Sequence, residues 1–396
     1  MQTVNDFNFK NEKVLIRVDF NVPLNSEFVI TDNSRIAATV PTIKKILSDG
    51  GSCILMSHLG RPKEGPADKY SLKHIVNSVS ELTGAKVHFA DDCIGDSAYQ
   101  LANQLQAGEI LLLENLRFYK EEEKGDVAFA EKLSKLGTFY VNDAFGTAHR
   151  AHASTAVIAQ FFNGKKCFGF VMAGELENAR KILDNPARPF TAIVGGAKVS
   201  DKLLIIENLM HIADNIIIGG GMAYTFAKAQ GGKIGKSLCE DDRMPLTLEL
   251  IEKAKAKGVN LLLPEDSVIA DNFANDAHTA ISDNQSIDDN YMGLDIGPKA
   301  TKAFCEAIRN SKTVLWNGPM GVFEMSSFEN GTKEVAQAVA DVAQNGGFSL
   351  IGGGDSAAAI HKFKLADKVS YVSTGGGALL EYFEGKELPG VKAVMN

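Results

Sequence analysis

The chain of 396 residues predicts an α/β protein with two doubly wound parallel-sheet (Rossmann-like) domains joined by a hinge helix. Three observations carry this. Apolar runs alternate with helix-periodic segments through both halves, as in a parallel sheet covered by helices on both faces. The segment DNPARP (184–189) interrupts that alternation near the middle, where two prolines stop a helix. The apolar runs of the second half end in glycines or small residues, whereas those of the first half end in charges and histidines. The length allows a full core for each half.

In the first half the strand-like runs are VLIRVDFN (14–21), CILMSHLGR (53–61), ILLLENLR (110–117) and FYVNDAFGTAHRAH (139–152). Between them, Ser34–Asp49 has helical spacing through Ile36, Val40, Ile43, Ile46 and Leu47. Ser71–Thr83 follows suit, with Ser71 as its N-cap. Val127–Lys135 is a third helix, and Met172–Leu183 is the helix that reaches the break. Strands resume at Phe190. The second half carries AIVGGA (192–197), IIIGGG (216–221), VLWNGPMG (314–321), SLIGGGD (349–355) and VSYVSTGGG (369–377). Most of these read as a buried strand followed by a helix start.

Hydrophobic content of 45% and charged content of 23% are those of an ordinary globular protein. A net charge of −8 argues against general nucleic-acid binding, which needs a basic face. The N-terminus MQTVNDFNFK lacks an apolar signal core, and no apolar run is long enough to cross a bilayer. No membrane association and a cytoplasmic location are expected. The five cysteines are odd in number and scattered, which predicts reduced, small buried hydrophobes and neither disulfides nor a zinc site.

Strand ends in an open α/β sheet converge in space. Arg17, Asp19, Asn21, His58, Arg61, Arg117, His149, Arg150 and His152 are therefore candidates to line one pocket. Several arginines in one pocket match a small polyanion, because the guanidinium fork fits carboxylate and phosphate oxygens. His149-x-x-His152 with Asp143 nearby also allows a metal reading, but Arg150 between the histidines would repel a cation. The acidic run Glu121–Glu123 reads as a solvated face.

Of the 37 glycines, 24 follow residue 190, so the second half is the one built for close backbone approach to a ligand. GGGDS (352–356) opens a helix at Ser356. Asp355 there either reaches Mg²⁺ beside a nucleotide phosphate or serves as the N-cap of a tight turn. GGAKVSDK (195–202) puts Lys198 and Lys202 four apart at a helix start. That spacing sets both on one face, against the helix dipole, an arrangement that favours a bound phosphate over a solvated face partly neutralised by Asp201. Trp316 is read as packing beside the site. Neither a Walker A sequence nor GxGxxG is present, which weighs against a P-loop enzyme and a dehydrogenase.

Taken together, RVDFNVPL (17–24), SHLGRP (57–62), ENLRF (114–118), NDAFGTAHRAHAST (142–155), GGAKVSDK (195–202), IGGGMAYTF (218–226), LDIGPK (294–299), WNGPMGVFE (316–324), GGGDSAAA (352–359) and STGGGALLEY (373–382) resemble the signatures of the phosphoglycerate kinase family. They stand in the family's order and cover nearly the whole chain. Two departures are minor. The inter-domain helix reads FVMAGELENARKIL where the family more often has Lys before the Glu, and the loop Asn25–Ile30 is compact.

The resemblance implies phosphoryl transfer between 1,3-bisphosphoglycerate and Mg-ADP, giving 3-phosphoglycerate and ATP. It implies a phosphoglycerate-binding domain over 1–169, a hinge over 170–189, a nucleotide-binding domain over 190–378 and a tail, 379–396, returning to the first domain. The matching substrate positions are Asp19, Asn21, Arg35, His58, Leu59, Gly60, Arg61, Arg117 and Arg150, with His149 and His152 alongside. The nucleotide positions are Gly195, Gly196, Lys198, Lys202, Gly219, Gly220, Gly293, Asn317, Pro319, Glu324, Gly352, Gly353, Gly354, Asp355 and Ser356. Asp355 is the Mg²⁺ contact. Arg35, Lys198, Lys202 and the helix start at Gly376 fall on the phosphoryl group in flight. No partner beyond these substrates is indicated, and a monomer is expected. A kinase for another small carboxylate and a non-catalytic nucleotide-binding protein are the alternatives.

Overall fold

The computed structural model describes all 396 residues, which fall into two compact units: Met1–Glu177 with Glu387–Asn396, and Asn178–Lys386. The first unit is built on a six-stranded sheet of β1 (Lys13–Val18), β2 (Ser52–Met56), β3 (Val87–Ala90), β4 (Ile110–Leu113), β5 (Phe139–Asp143) and β6 (Lys166–Phe168), in the order β3-β4-β2-β1-β5-β6. Every pairing is parallel. Strands covered on both faces need apolar residues on both, which is why β2 (SCILM) and β4 (ILLL) are buried throughout. The helix Ser34–Ser48 turns Ile36, Ile43 and Ile46 into this core. The chain leaves β1 towards β2 on one side and later places β5 on the other, so the order reverses at β1 and β5. A crevice opens at such a switch point.

The second unit repeats the device with β7 (Phe190–Val194), β8 (Asn215–Ile218) and β9 (Asn260–Leu262), then, after an antiparallel insertion, β13 (Thr313–Asn317), β14 (Phe348–Ile351) and β15 (Tyr371–Val372). Their order is β9-β8-β7-β13-β14-β15, again all parallel. The reversal lies between β7 and β13. The insertion comprises β10 (Asp266–Ala270), β11 (Thr279–Asp283) and β12 (Met292–Ile296), with β10 in the middle. Uniform strand–helix alternation does not hold there. β11 is exposed along most of its length, so it lacks the continuous apolar run that marks a central strand.

The helix Phe170–Leu183 runs from the first unit into the second. Its start is fixed by Asp143, at the end of β5, whose Oδ1 accepts the N–H groups of Val171 (2.8 Å) and Met172 (3.2 Å). The last ten residues sit in the first unit. There the Gly390 N–H donates to Ala148 O (2.8 Å), and the Gly390 carbonyl accepts from Asn142 Nδ2 (3.3 Å). No helix is long and apolar enough to cross a membrane.

Several local expectations are corrected. Ser71 caps as anticipated, but Leu72–Ile75 is a 3₁₀ turn and the α-helix begins only at Val76. Lys198 and Lys202 do not share a helix face, because the helix starts at Leu203 with Lys202 as its N-cap residue. The helix after β14 starts at Gly354, not Ser356, which puts Asp355 in its first turn and makes Gly353 the N-cap. Glu122 is not solvated: it is 1% exposed. Of the cysteines, Cys239 is only half-buried, with its thiol 3.1 Å from Asp241 Oδ1.

Candidate active site

At the first switch point, β1 carries Arg17 next to its end at Val18, and the chain continues through Asp19 to Asn21. Asp19 Oδ2 accepts from Arg35 Nη1 at 2.7 Å, and Asn21 Oδ1 accepts the Gly60 N–H at 2.8 Å. This ties the β1 exit to the loop after β2. In that loop Gly60 has φ +64°, and a Cβ there would lie 2.5 Å from the Tyr70 ring, so only glycine fits. The Leu59 carbonyl accepts from Asn115 Nδ2 at 2.8 Å, and Arg117 Nη1 donates to Gly60 O at 3.0 Å.

Arg117 is the informative member. It is 6% exposed, yet its Nε and Nη2 have no hydrogen-bond partner. Glu123, an exposed residue, lies 3.4 Å from Nε, close enough for charge attraction. Burial holds the Arg117 guanidinium below its ordinary pKa. A buried guanidinium with unmade donors costs free energy unless an anion meets it.

His58 and His152 are neutral. Burial, then the charges of Arg17, Arg117, Arg35 and Arg150, holds His58 well below its usual range. Burial and the charges of Arg117, Arg17 and Arg150 bring His152 down to about 4. Arg150 Nε donates to His149 Nε2 at 3.2 Å. Asp143 is taken up by the helix start described above, so it does not join His149 and His152 in a metal-ligand set. Arg61 is exposed and makes no hydrogen bond or ion pair within the protein. Arg17 proves to be a framework residue: it is fully buried, and Nε donates to Ser154 Oγ (2.8 Å), Nη1 to Val18 O (2.5 Å) and Nη2 to His58 (3.2 Å).

At the second switch point three glycine turns pack against one another. Gly195 N–H donates to Asn317 O (2.9 Å), Gly220 N–H to Met320 O (3.0 Å) and Met222 N–H to Gly196 O (3.1 Å). A Cβ on Gly195 would lie 2.1 Å from Pro319 O, and one on Gly219 2.4 Å from Met320 Sδ. The crowding at these glycines comes from the protein's own backbone and side chains. Gly354 and Gly376, by contrast, face open space, leaving room for a ligand at two helix starts. Gly353 has φ +95° and lies under Asn317 Nδ2.

Above this floor is a cavity of about 470 Å³, lined among others by Gly196, Gly220, Leu238, Gly293, Val322, Glu324 and Asp355. Its walls are apolar, and its carboxylates stand after β13, on the loop at Glu324, and after β14, in the first helical turn at Asp355. Pro319 borders it; Lys236 and the exposed Phe273, which the sequence did not single out, line it too. Lys202 Nζ donates to Asn317 Oδ1, and Asn317 Nδ2 donates to Gly352 O at 2.7 Å. Burial lowers the Lys202 pKa. Lys198 is exposed and hydrogen-bonds no protein group. Ser356 Oγ accepts the Gly318 N–H (2.6 Å), and the Trp316 indole donates to Gly318 O (2.8 Å). Both shape the β13 loop, Trp316 from full burial. Asp355 is exposed at the cavity and has no protein hydrogen bond or ion pair, so its carboxylate is available to a divalent cation, for which an oxygen donor of this kind is suited.

A pocket of converging arginines on one sheet, and an apolar cavity edged by glycine turns, a lysine and a free carboxylate on another, define the class: a phosphotransferase acting on a small anion. Comparison with known proteins makes the family explicit. A sequence model described as phosphoglycerate kinase matches residues 4–386. The phosphoglycerate kinase of Porphyromonas gingivalis is 52% identical, covering 99% of both chains. That of Chloroherpeton thalassium is 53% identical over 100% of this chain and 99% of its own. The crystal structure of phosphoglycerate kinase from Pyrococcus horikoshii has 30% identity and a TM-score of 0.83, covering 100% of this chain and 98% of that one. The solved phosphoglycerate kinase of Coxiella burnetii has 38% identity and a TM-score of 0.90, with the same coverage. The chain belongs to the phosphoglycerate kinase family, kinases that transfer phosphate to a carboxyl group.

Proposed function

We propose that the chain catalyses reversible phosphoryl transfer from 1,3-bisphosphoglycerate to Mg-ADP, giving 3-phosphoglycerate and ATP, in line and after the two units close about the helix Phe170–Leu183. The observation that carries this reading is Arg117, whose buried donors await a small anion beside Arg35, His58 and Arg150. The first unit then binds the phosphoglycerate through Asp19, Asn21, Arg35, His58, Arg61, Arg117, Arg150 and His152. The cavity of the second unit takes the nucleoside, with Glu324 at its edge and the phosphates over the Gly354 and Gly376 helix starts.

In the ATP-consuming direction the nucleophile is the phosphoglycerate carboxylate. It is ionised at neutral pH and needs no general base. The neutral His58 and His152 fit a site in which protons are held still. Arg35, Lys198 and Lys202 orient and neutralise the equatorial oxygens, so catalysis rests on positioning and charge. Asp355 is the residue that would hold Mg²⁺, which when bound supplies charge neutralisation at the nucleotide phosphates. Closure excludes the water that would hydrolyse the acyl phosphate.

The test is 3-phosphoglycerate-dependent ADP formation from Mg-ATP, coupled to an enzyme that consumes the acyl phosphate. Wild type should be active, and Arg35→Ala should lose on the order of 10²–10³ in turnover, as when one oxyanion-stabilising donor is removed. Full activity in Arg35→Ala breaks the assignment of Arg35. No wild-type activity with ATP still bound breaks the reading itself.

A further inference from the structure

Beneath the anion pocket lies a line of buried polar groups. Glu122 accepts twice from Ser154, from its N–H at 3.0 Å and its hydroxyl at 2.6 Å. The Ser154 oxygen accepts from Arg17 Nε at 2.8 Å, and Arg17 Nη2 stands 3.2 Å from His58 Nδ1. Glu122, Ser154 and Arg17 are each at most 1% exposed. A guanidinium carries donors only and stays protonated. The ring nitrogen it meets must therefore be the acceptor, which leaves the single proton of a neutral imidazole on Nε2. No protein group accepts from His58 Nε2, and that atom is not sealed from its surroundings.

We propose that Glu122, acting through Ser154 and Arg17, is a positioning residue that fixes His58 as a neutral Nε2–H donor to the small anion. The proposal rests on the phosphoglycerate site described above and specifies how one of its members works. Each link has a reason to be polar and buried. The carboxylate balances Arg17 in a region crowded with arginines, and the Ser154 hydroxyl passes its orientation on by accepting from one side and donating to the other. Glu122 also carries the backbone of the loop that follows β5, because its carbonyl accepts the Ala153 N–H at 2.9 Å. Without this clamp Arg17 is free to turn. His58 then samples the other tautomer, which presents a lone pair to the anion and repels it.

The experiment combines histidine-selective ¹⁵N NMR with calorimetric titration of 3-phosphoglycerate and of ATP, on wild type, Glu122→Gln and Ser154→Ala. A His58→Gln sample identifies the His58 signals among the eight histidines. Wild type should hold His58 in the Nε2–H form from about pH 6 to 8, where an ordinary histidine titrates. Both variants should populate two tautomers and bind 3-phosphoglycerate roughly ten-fold more weakly, the size of one hydrogen bond to a charged group, with ATP affinity unchanged. A wild-type His58 protonated on Nδ1 overturns the proposal. So do variants that keep one tautomer and wild-type affinity. If Glu122→Gln fails to fold, Ser154→Ala carries the same comparison. If wild type binds no 3-phosphoglycerate, the proposed function fails, while the tautomer result, which needs no ligand, decides the Glu122 relay separately.

Discussion

Replacing Arg117 by Met should separate stability from function in one residue. In the free protein its guanidinium makes one hydrogen bond, to Gly60 O, and leaves Nε and Nη2 unsatisfied in a buried setting. The bond contributes about 1.5–3 kcal/mol, and each unmade donor costs about 1–3 kcal/mol. Met fills much of the same volume without polar atoms. Arg117→Met should therefore leave the free protein as stable as wild type or up to roughly 2 kcal/mol more so. With ligand the sign reverses. Two charge-assisted hydrogen bonds to the anion are lost, about 3 kcal/mol or about a hundred-fold in Kd. At a 3-phosphoglycerate concentration of 100 times the wild-type Kd, wild type gains about 2.7 kcal/mol and the variant only about 0.4 kcal/mol. Scanning calorimetry with and without 3-phosphoglycerate reads both halves. A variant that unfolds well below wild type when free, or keeps the full ligand shift, refutes the reasoning.

Asp143 and His152 give pH dependences of opposite sign. Burial pushes the Asp143 carboxyl up to about 7, so as pH rises from about 4 to 7 the unfolded chain releases this proton first and stability falls. Asp143→Asn keeps an acceptor for Val171 and Met172 and should gain on wild type by a few kcal/mol across that window, and urea midpoints at about pH 5 and 8 that shift in parallel would sink the idea. His152, held near 4, contributes fully above about 6.5 and loses that contribution as pH falls towards 4, so His152→Gln should flatten the acid limb of the same urea curves. At the cavity proposed for the nucleoside, a Cβ on Gly293 would lie 2.0 Å from the Tyr224 hydroxyl, which is buried and holds Ser267 Oγ at 2.8 Å. Gly293→Ala should weaken ATP binding more than ten-fold, the cost of overpacking by about 1–3 kcal/mol, and leave 3-phosphoglycerate binding intact in separate titrations; normal ATP affinity would count against the cavity as the nucleoside site.

The central strands were legible because strands covered on both faces leave continuous apolar runs, as in ILLL at β4. The insertion around β11 was not, since an exposed strand carries no such run and Ile281 is 55% exposed. Glu122 was misread for a related reason. In a helix of five residues, Lys120–Lys124, no periodicity distinguishes the inward glutamate from its solvated neighbours. Lys198 and Lys202 were assigned to a helix because spacing alone cannot say where the first turn closes. The residue types of the anion pocket were readable, but their division of labour was not. Arg17 and Arg117 look alike as strand-end arginines. One is taken up by Ser154, 137 residues away in sequence, and the other is left open to a ligand.

On the proposed assignment the two switch points solve different recognition problems, which accounts for the sharp difference between their sequences. A small anion concentrates charge in a few oxygens, so it is best met by side chains that converge and carry donors in fixed forks, and these must themselves be held by buried groups such as Glu122 and Ser154. A nucleotide spreads apolar surface and charge over a longer path, so it is met by a shaped wall and by backbone N–H groups at helix starts. Glycine then has two jobs in the second unit. At Gly195 and Gly219 it lets the protein's own loops close on one another, and at Gly354 and Gly376 it leaves space for the ligand. Alanine at Gly195 should therefore damage folding before it damages binding. At Gly354, where an added methyl meets nothing in the protein, alanine should do the reverse.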